Sequence, residues 1–154
     1  MIWAVAVLGG VTLAGIAAWT LLAPDEGASP ADAGDALLVA GGAAVYAAQC
    51  GECHGERLEG APDWRRRNQD GSLPAPPHDE SGHTWHHTDQ QLFDMVKRGG
   101  AAAAPPGFAS NMPGYDGVLA DADIWAVLAF IKSSWPEDIR RRQATATRRR
   151  AAEN

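Results

Sequence analysis

Charged side chains are missing from the start of the chain, between Ile2 and Ala23. A helix of these 22 residues spans roughly 33 Å, enough to cross a hydrocarbon core of about 30 Å. The run also lacks the basic start and the shorter apolar core of a cleavable signal peptide. Trp3 and Trp19 lie near its two ends, where aromatic rings favour the membrane interface. We predict an uncleaved transmembrane anchor over residues 1–23, with a long signal peptide as the alternative.

The segment that follows lacks apolar periodicity. Residues 24–35, PDEGASPADAGD, are rich in Pro, Gly, Ala and acids, which is typical of a linker. Asp25 and Glu26 are compatible with a carboxyl end outside the membrane. We predict a flexible acidic linker over 24–35 and an exported remainder under either interpretation of the run before it.

About 100 residues remain before Trp135, enough for one modest core but not for two. We therefore predict a single domain over 36–135, followed by a basic tail over 136–154. The tail contains six arginines in two runs and almost nothing apolar to bury, so it is expected to be a solvated or frayed helix. A contact between this tail and anionic head groups or an acidic partner is the alternative.

Positive charge is scarce on the globular part of the chain. Residues 36–139 contain fourteen Asp and Glu against seven Lys and Arg, and only two of these are lysines, Lys97 and Lys132. A nucleic-acid-binding role would require a basic face with aromatic side chains on the globule. The charge balance disfavours that class of function, and no nucleic acid is expected as a partner.

Cysteine is also scarce, since the chain contains only Cys50 and Cys53. In an exported domain the two thiols could form a disulfide. A thioredoxin-like redox pair would need alternating strands and helices, but no convincing strand pattern surrounds the pair. A Cys2His2 zinc site is a third possibility, with ligands from a group of histidines downstream: His78, His83, His86 and His87.

These three possibilities leave the adjacent His54 without a role. The pattern CxxCH, here CGECH, is typical of covalent c-type haem attachment. In that chemistry the two thiols add across the vinyl groups of the haem, and the histidine places a nitrogen on the iron from the same short turn. Because a bare CxxCH can arise by accident, it needs support from the rest of the sequence.

Two segments show apolar residues at helical spacing. The first includes Leu37, Leu38, Val45 and Tyr46 and leads into Cys50. The second, LADADIWAVLAFIKSSW, has apolar residues at i, i+3, i+4 and i+7 and two acids in its first turn, where the helix dipole favours them. Each segment predicts a helix, one near the start of the domain's sequence and one near its end.

With these two segments, the sequence from Leu37 to about Trp135 resembles the class I c-type cytochromes. In that family a first helix ending in CxxCH crosses a last helix, with a small residue against an aromatic one. Gly42 and Tyr46 match the first helix, and Leu128 and Phe130 match the second. The family's second iron ligand is a methionine shortly before the last helix, where Met112 stands in NMPGY. The resemblance implies an all-α domain with one covalent haem c, ligated by His54 and Met112, and it places Tyr46, Pro62 and Tyr115 at the haem.

The sequence departs from the family pattern in three respects. A proline carbonyl usually accepts a hydrogen bond from the ligand histidine; Pro62 is our candidate and Pro74 the alternative. Lysines that commonly surround the haem edge are few here. Ala120 stands where a Ser or Thr cap is expected.

The segment HDESGHTWHHTDQQLFDMVKRGG is the least expected part of the sequence. Thr88 and Gln91 have the spacing of a capping box, which predicts a helix from Asp89 to about Arg98, ended by Gly99. The histidines before it suggest a second copper or zinc site. The interpretation that we prefer is that Trp85 and one histidine pack on the domain while the others are solvated.

The expected function is electron transfer between redox proteins, without a small-molecule substrate, because two filled axial positions leave the iron no open site. The expected partners are membrane redox complexes. The expected location is the periplasmic side of a bacterial cytoplasmic membrane. One alternative is a haem enzyme or gas-binding protein with an open sixth position, and another is a cytochrome subunit of a larger oxidoreductase.

Overall fold

The computed structural model describes residues 29–153, which form helices and turns without any strand. Its helices are α1 (Ala36–Gln49), α2 (Gly51–His54), a 3-10 turn (Thr84–His86), α3 (Asp89–Arg98), α4 (Gly100–Ala103), α5 (Asp121–Ser133) and α6 (Glu137–Ala152). The prediction of an all-α domain is confirmed. The predicted anchor over 1–23 lies outside the described residues, and no helix within 29–153 is long and apolar enough to cross a membrane.

Helix α1 begins at an aspartate cap. The Asp35 carboxylate accepts hydrogen bonds from the backbone amides of Leu37 and Leu38 at 2.9 and 3.1 Å, which satisfies two of the unpaired donors of the first turn. The helix ends at Cys50, whose amide donates to the carbonyl of Tyr46. The cap therefore fixes the start of the helix that leads into CGECH.

Helix α5 forms the centre of the core, although its cap is weak. Ala120 has no side-chain acceptor, so only the reverse half of a capping box is present, in which the Ala120 amide donates to Asp123 at 3.3 Å. The apolar periodicity of the helix compensates for the missing cap. Its buried side chains come from almost every turn: Ile124, Ala126, Val127, Leu128, Ala129, Ile131 and Lys132.

Helices α1 and α5 cross at Gly42. A Cβ atom placed on Gly42 would lie 1.9 Å from the carbonyl oxygen of Ala126 and 3.0 Å from Cβ of Phe130, so the backbones meet where only a hydrogen atom fits. One turn further along α1, Tyr46 packs on Phe130 with 5.3 Å between ring centroids. The expected contact of a small residue with an aromatic one is present at this crossing.

Helix α3 has the predicted bounds. The Thr88 hydroxyl accepts from the Gln91 amide, and the Gln91 side chain accepts from the Thr88 amide at 2.9 Å, which completes the capping box. The helix ends at Gly99, which has φ of 85°. Leu92 and Phe93 are buried, and Phe93 stacks on Trp125 of α5 at 4.3 Å.

The predicted flexible linker over 24–35 is wrong for its second half. Ala31 is fully buried, and the Ser29 hydroxyl bonds to the Asp89 carboxylate on α3. Asp35 is the cap of α1, as described above. Residues 29–35 are therefore part of the packed domain, since a small buried side chain and a buried hydrogen bond hold them there.

The basic tail forms a continuous helix that packs on the domain. Gln143 of α6 is buried, and its amide donates to Asp89 at 2.7 Å and to the carbonyl of His87 at 3.1 Å. The Lys132 ammonium group on α5 lies 2.9 Å from both oxygens of the same carboxylate. A helix was expected for this tail; its attachment through Gln143 was not.

Candidate functional site

The two cysteines and His54 share one short helical stretch. Cys50 follows the last residue of α1, and its carbonyl accepts hydrogen bonds from the amides of Cys53 and His54 at 3.2 and 2.9 Å. These bonds form the single turn of α2 directly after α1. Cys50 is half-buried, Cys53 is exposed, and both are free thiols. The turn therefore presents two thiols and one imidazole within five residues.

The imidazole of His54 is buried and held in one tautomer. Its Nδ1 lies 2.9 Å from the carbonyl oxygen of Pro76, and because a carbonyl can only accept, Nδ1 carries the proton. Nε2 is left with its lone pair free for a metal ion. Burial lowers the pKa of His54, although the bond to Pro76 opposes this shift, so the ring is neutral at neutral pH. Neutral imidazole is the form that binds iron.

The carbonyl beside His54 belongs to neither predicted proline. The predictions of Pro62 and of its alternative Pro74 are wrong, because the loop after α2 brings the Pro76 carbonyl to the ring instead. Pro62 is exposed. The loop is folded back by left-handed residues at Leu58 and Asp63 and by pairing of the Ala61 amide with the Ala75 carbonyl at 2.9 Å.

Tyr46 fixes the far end of the CGECH turn. Its hydroxyl donates to the carbonyl of Gly55 at 2.9 Å and lies 3.3 Å from that of His54, and burial raises the pKa of this phenol. The side chain is almost fully buried. The sequence singled out Tyr46 as a residue that contacts the cofactor; in the structure it orients the histidine turn and packs in the helix crossing.

His78 is a site residue whose position the sequence did not predict. Its ring stacks on that of His54 with 4.0 Å between centroids, and its Nδ1 pairs with the Thr84 hydroxyl at 2.9 Å. The carbonyl of His78 accepts a 2.7 Å hydrogen bond from the indole of Trp135. Burial lowers the pKa of His78 well below its ordinary value, so this ring is neutral and supports His54 from one side.

The thiols lack the properties of a poised redox pair. Burial, followed by the charge of Cys53, raises the pKa of Cys50 to about 11, so this thiol is protonated at neutral pH. A reactive thiolate would need the opposite shift. Within residues 29–153, no group of three or more His, Cys, Asp or Glu side chains is arranged to hold a metal ion.

Met112 lies on a segment attached to the end of α3. Its carbonyl accepts the Gly100 amide at 3.2 Å, and its amide donates to the Ser110 hydroxyl. A Cβ atom on Gly99 would come within 3.0 Å of the Met112 oxygen, so the segment passes directly over the glycine that ends the helix. The Met112 side chain is half-buried.

Tyr115 joins this segment to the cysteine turn. Its amide donates to the carbonyls of Val96 and Lys97 at 3.1 and 3.0 Å, and its hydroxyl donates to the carbonyl of Gln49 at 2.7 Å. Gln49 immediately precedes Cys50. Burial raises the pKa of Tyr115, with contributions from the nearby thiols. Tyr115 therefore lies against the residue that precedes the cysteine turn, although it comes from the other end of the domain's sequence.

The other histidines stack on tryptophans. His83 stacks on Trp64 at 5.3 Å, and His86 stacks on Trp85 at 3.8 Å. His87 lies edge-on to His83 at 5.9 Å. His78 thus packs against His54, whereas His83 and His86 are exposed and stack on tryptophans at the surface.

A family model described as Cytochrome c matches residues 39–135. The chain belongs to the cytochrome c family. The match covers the CGECH turn, Met112 and the helix crossing. These are the features on which the resemblance to the class I cytochromes rests, so membership of that class is shown. No curated protein and no solved structure matches the chain.

Membership of the cytochrome c family implies covalently bound haem c and a role in electron transfer. The residues present fit that group. Cys50 and Cys53 are free thiols on one turn, and the buried neutral ring of His54 has its Nε2 free. When bound, haem c supplies a one-electron iron couple.

Proposed function

We propose that this protein is a membrane-tethered carrier of single electrons, with one haem c ligated by His54 and Met112. The observation that carries the haem-binding part is the 2.9 Å contact of His54 Nδ1 with the Pro76 carbonyl. It fixes the tautomer and leaves Nε2 free, while burial lowers the pKa of the ring and keeps the ligand neutral. A single CxxCH in the sequence supports a single haem.

Met112 is the proposed second ligand. The bonds of its backbone to Gly100 and of Tyr115 to Gln49 hold this segment between α3 and the cysteine turn. Pro113 stiffens the chain directly after the methionine. A thioether is neutral and soft, so His/Met ligation favours ferrous iron and raises the potential. Met95, the alternative methionine, lies inside α3, which packs its buried residues Leu92 and Phe93 in the core.

The tether is proposed from the uncharged run between Ile2 and Ala23. Because Ser29 is docked on the domain, only residues 24–28 separate it from that run in the sequence. Partners are therefore proposed to be membrane redox complexes, met at high effective concentration on the outer face of a bacterial cytoplasmic membrane. The alternative is that the protein transfers electrons as one subunit of such a complex.

The test of this proposal is the spectrum of the purified haem protein and of Met112→Ala. We expect a six-coordinate low-spin haem with a charge-transfer band from methionine to ferric iron. In Met112→Ala this band is lost, the potential falls, and carbon monoxide binds the ferrous iron. Met95→Ala is the matched control and should keep the band and the potential.

An unchanged low-spin spectrum and potential in Met112→Ala would show that another side chain is the ligand. A high-spin spectrum in the unmodified protein would favour the rival class, a haem enzyme or gas-binding protein. Haem that passes into the solvent on acid-acetone extraction would contradict covalent attachment through Cys50 and Cys53.

A further inference from the structure

Helix α6 has one face packed on the domain and an opposite face covered by arginine. The packed face repeats every four residues and consists of Ile139, Gln143 and Thr147. Because a helix turns by about 100° per residue, the residues between these positions in the sequence project away from the packed face. These include four exposed arginines: Arg141, Arg142, Arg148 and Arg149.

The charge of this face contrasts with the rest of the domain. Helix α6 contains six arginines and two carboxylates, whereas acids outnumber bases two to one over residues 36–139. Glu137 and Asp138 pair with Arg141 and Arg142, but all four side chains are at least half exposed, so these pairs are weak. In the second run, Arg150 pairs with Glu153 at 3.3 Å, whereas Arg148 and Arg149 form no ion pair within the described part of the chain.

Helix α6 packs beside the point where the chain enters the domain. Ser29 and Gln143 both hydrogen-bond to the Asp89 carboxylate, one from the entering chain and one from α6. Residues 24–28 between Ser29 and the apolar run reach at most about 18 Å when fully extended. On the proposed function, in which that run is a membrane anchor, α6 is held close to the membrane surface.

We infer that the arginine face of α6 binds the anionic phospholipid surface of the membrane in which the chain is tethered. Near such a surface each arginine strengthens binding by a factor of roughly five, and the attraction fades within a Debye length of about 8 Å. An acidic protein partner is less suitable, because protein interfaces normally have an apolar centre. The exposed large apolar side chains of residues 29–153 are Leu37, Phe108 and Val118, and none of them lies on α6.

The experiment uses the full-length haem protein reconstituted into vesicles. One preparation contains phosphatidylcholine alone and the other phosphatidylcholine mixed with phosphatidylglycerol. Amide hydrogen exchange is measured by mass spectrometry over residues 140–152. We expect exchange there to slow by about fivefold or more in the anionic vesicles. The slowing should disappear at about 1 M NaCl, where the Debye length is about 3 Å, although the protein stays with the vesicles.

Two variants with the same loss of charge distinguish a contact made by α6 from a general effect of positive surface charge. In the test variant the four arginines of the face are changed to Gln: Arg141→Gln, Arg142→Gln, Arg148→Gln and Arg149→Gln. The control variant carries Arg57→Gln, Arg65→Gln, Arg66→Gln and Arg67→Gln, all exposed and outside α6. The slowing should be lost in the test variant and kept in the control.

The possible failures are distinguishable. Equal exchange on neutral and anionic vesicles, with the protein still bound to both, would overturn the inference and leave the tether intact. Protein that leaves both kinds of vesicle would refute the proposed tether. Slowing seen only on native membranes, and lost after their proteins are digested, would overturn the lipid contact in favour of an acidic protein.

Discussion

Adjacent glycines in α1 provide a sharp test of the helix crossing. Gly41 and Gly42 occupy the same helix, so replacing either by alanine raises helix propensity by about 1 kcal/mol. A Cβ atom on Gly41 would meet nothing within 4 Å, whereas on Gly42 it would lie 1.9 Å from the Ala126 carbonyl oxygen. The two variants therefore differ only in the contact with α5.

The magnitude follows from that contact. A separation of 1.9 Å is about 1.5 Å shorter than ordinary van der Waals contact. The two nearest atoms are the carbonyl oxygen and carbon of Ala126, which belong to the backbone of α5 and cannot rotate away. Helices α1 and α5 must separate, which loosens the packing of Tyr46 on Phe130. Overpacking of a core typically costs about 1–3 kcal/mol. We expect Gly41→Ala to stabilise the protein by up to about 1 kcal/mol. After the same gain in helix propensity is subtracted from the overpacking cost, we expect Gly42→Ala to destabilise it by up to about 2 kcal/mol.

The assay is equilibrium unfolding in guanidinium chloride, followed by far-UV circular dichroism and by the Soret band. The difference between the two variants cancels the shared gain in helix propensity. A difference of roughly 1–3 kcal/mol is expected. Equal stabilities would refute the close crossing at Gly42, and with it the arrangement that presents CGECH to the rest of the site.

Three further substitutions test contacts that hold the site and its surroundings. Lys132→Met leaves the Asp89 carboxylate buried without its cation and should cost about 3–5 kcal/mol, and the double variant with Asp89→Asn should recover part of this loss in denaturant unfolding. Trp135→Phe removes the donor to the His78 carbonyl and should lower the free energy of unfolding by about 1–2 kcal/mol; a change below experimental error would contradict the bond. Tyr46→Phe removes a buried hydroxyl bond and should cost about 1–2 kcal/mol in the same assay while covalent haem is retained, whereas loss of haem attachment would show a more direct role.

The parts of the fold that were predictable from sequence depend on local patterns. The capping box at Thr88 and Gln91 fixed the start of α3 without reference to any other element. The spacing of CGECH placed two thiols and an imidazole on one turn wherever that turn lies in the fold. The apolar periodicity of α5 was equally local and predicted the helix although Ala120 provides no side-chain cap.

The contacts that escaped prediction are those made by backbone groups or by single polar residues across long loops. Any residue can offer a carbonyl to His54, so the sequence carried no signal that favoured Pro76 over Pro62. The stacking of His78 depends on the same loop path. Gln143 attaches a helix that has no apolar stripe, and its partner Asp89 is more than fifty residues away. Lys132 was a weak sign of a buried ion pair, because this charged residue lies among the apolar positions of the last predicted helix of the domain.

Helix α3 connects the two regions that the proposals concern. At its amino end, Asp89 joins the entering chain, α5 and α6 through Ser29, Lys132 and Gln143. At its carboxyl end, about 14 Å away at helical rise, the Val96 and Lys97 carbonyls and Gly99 hold the segment that carries Met112 and Tyr115. The same helix therefore supports both the segment of the proposed iron ligand and the junction beside the proposed membrane contact.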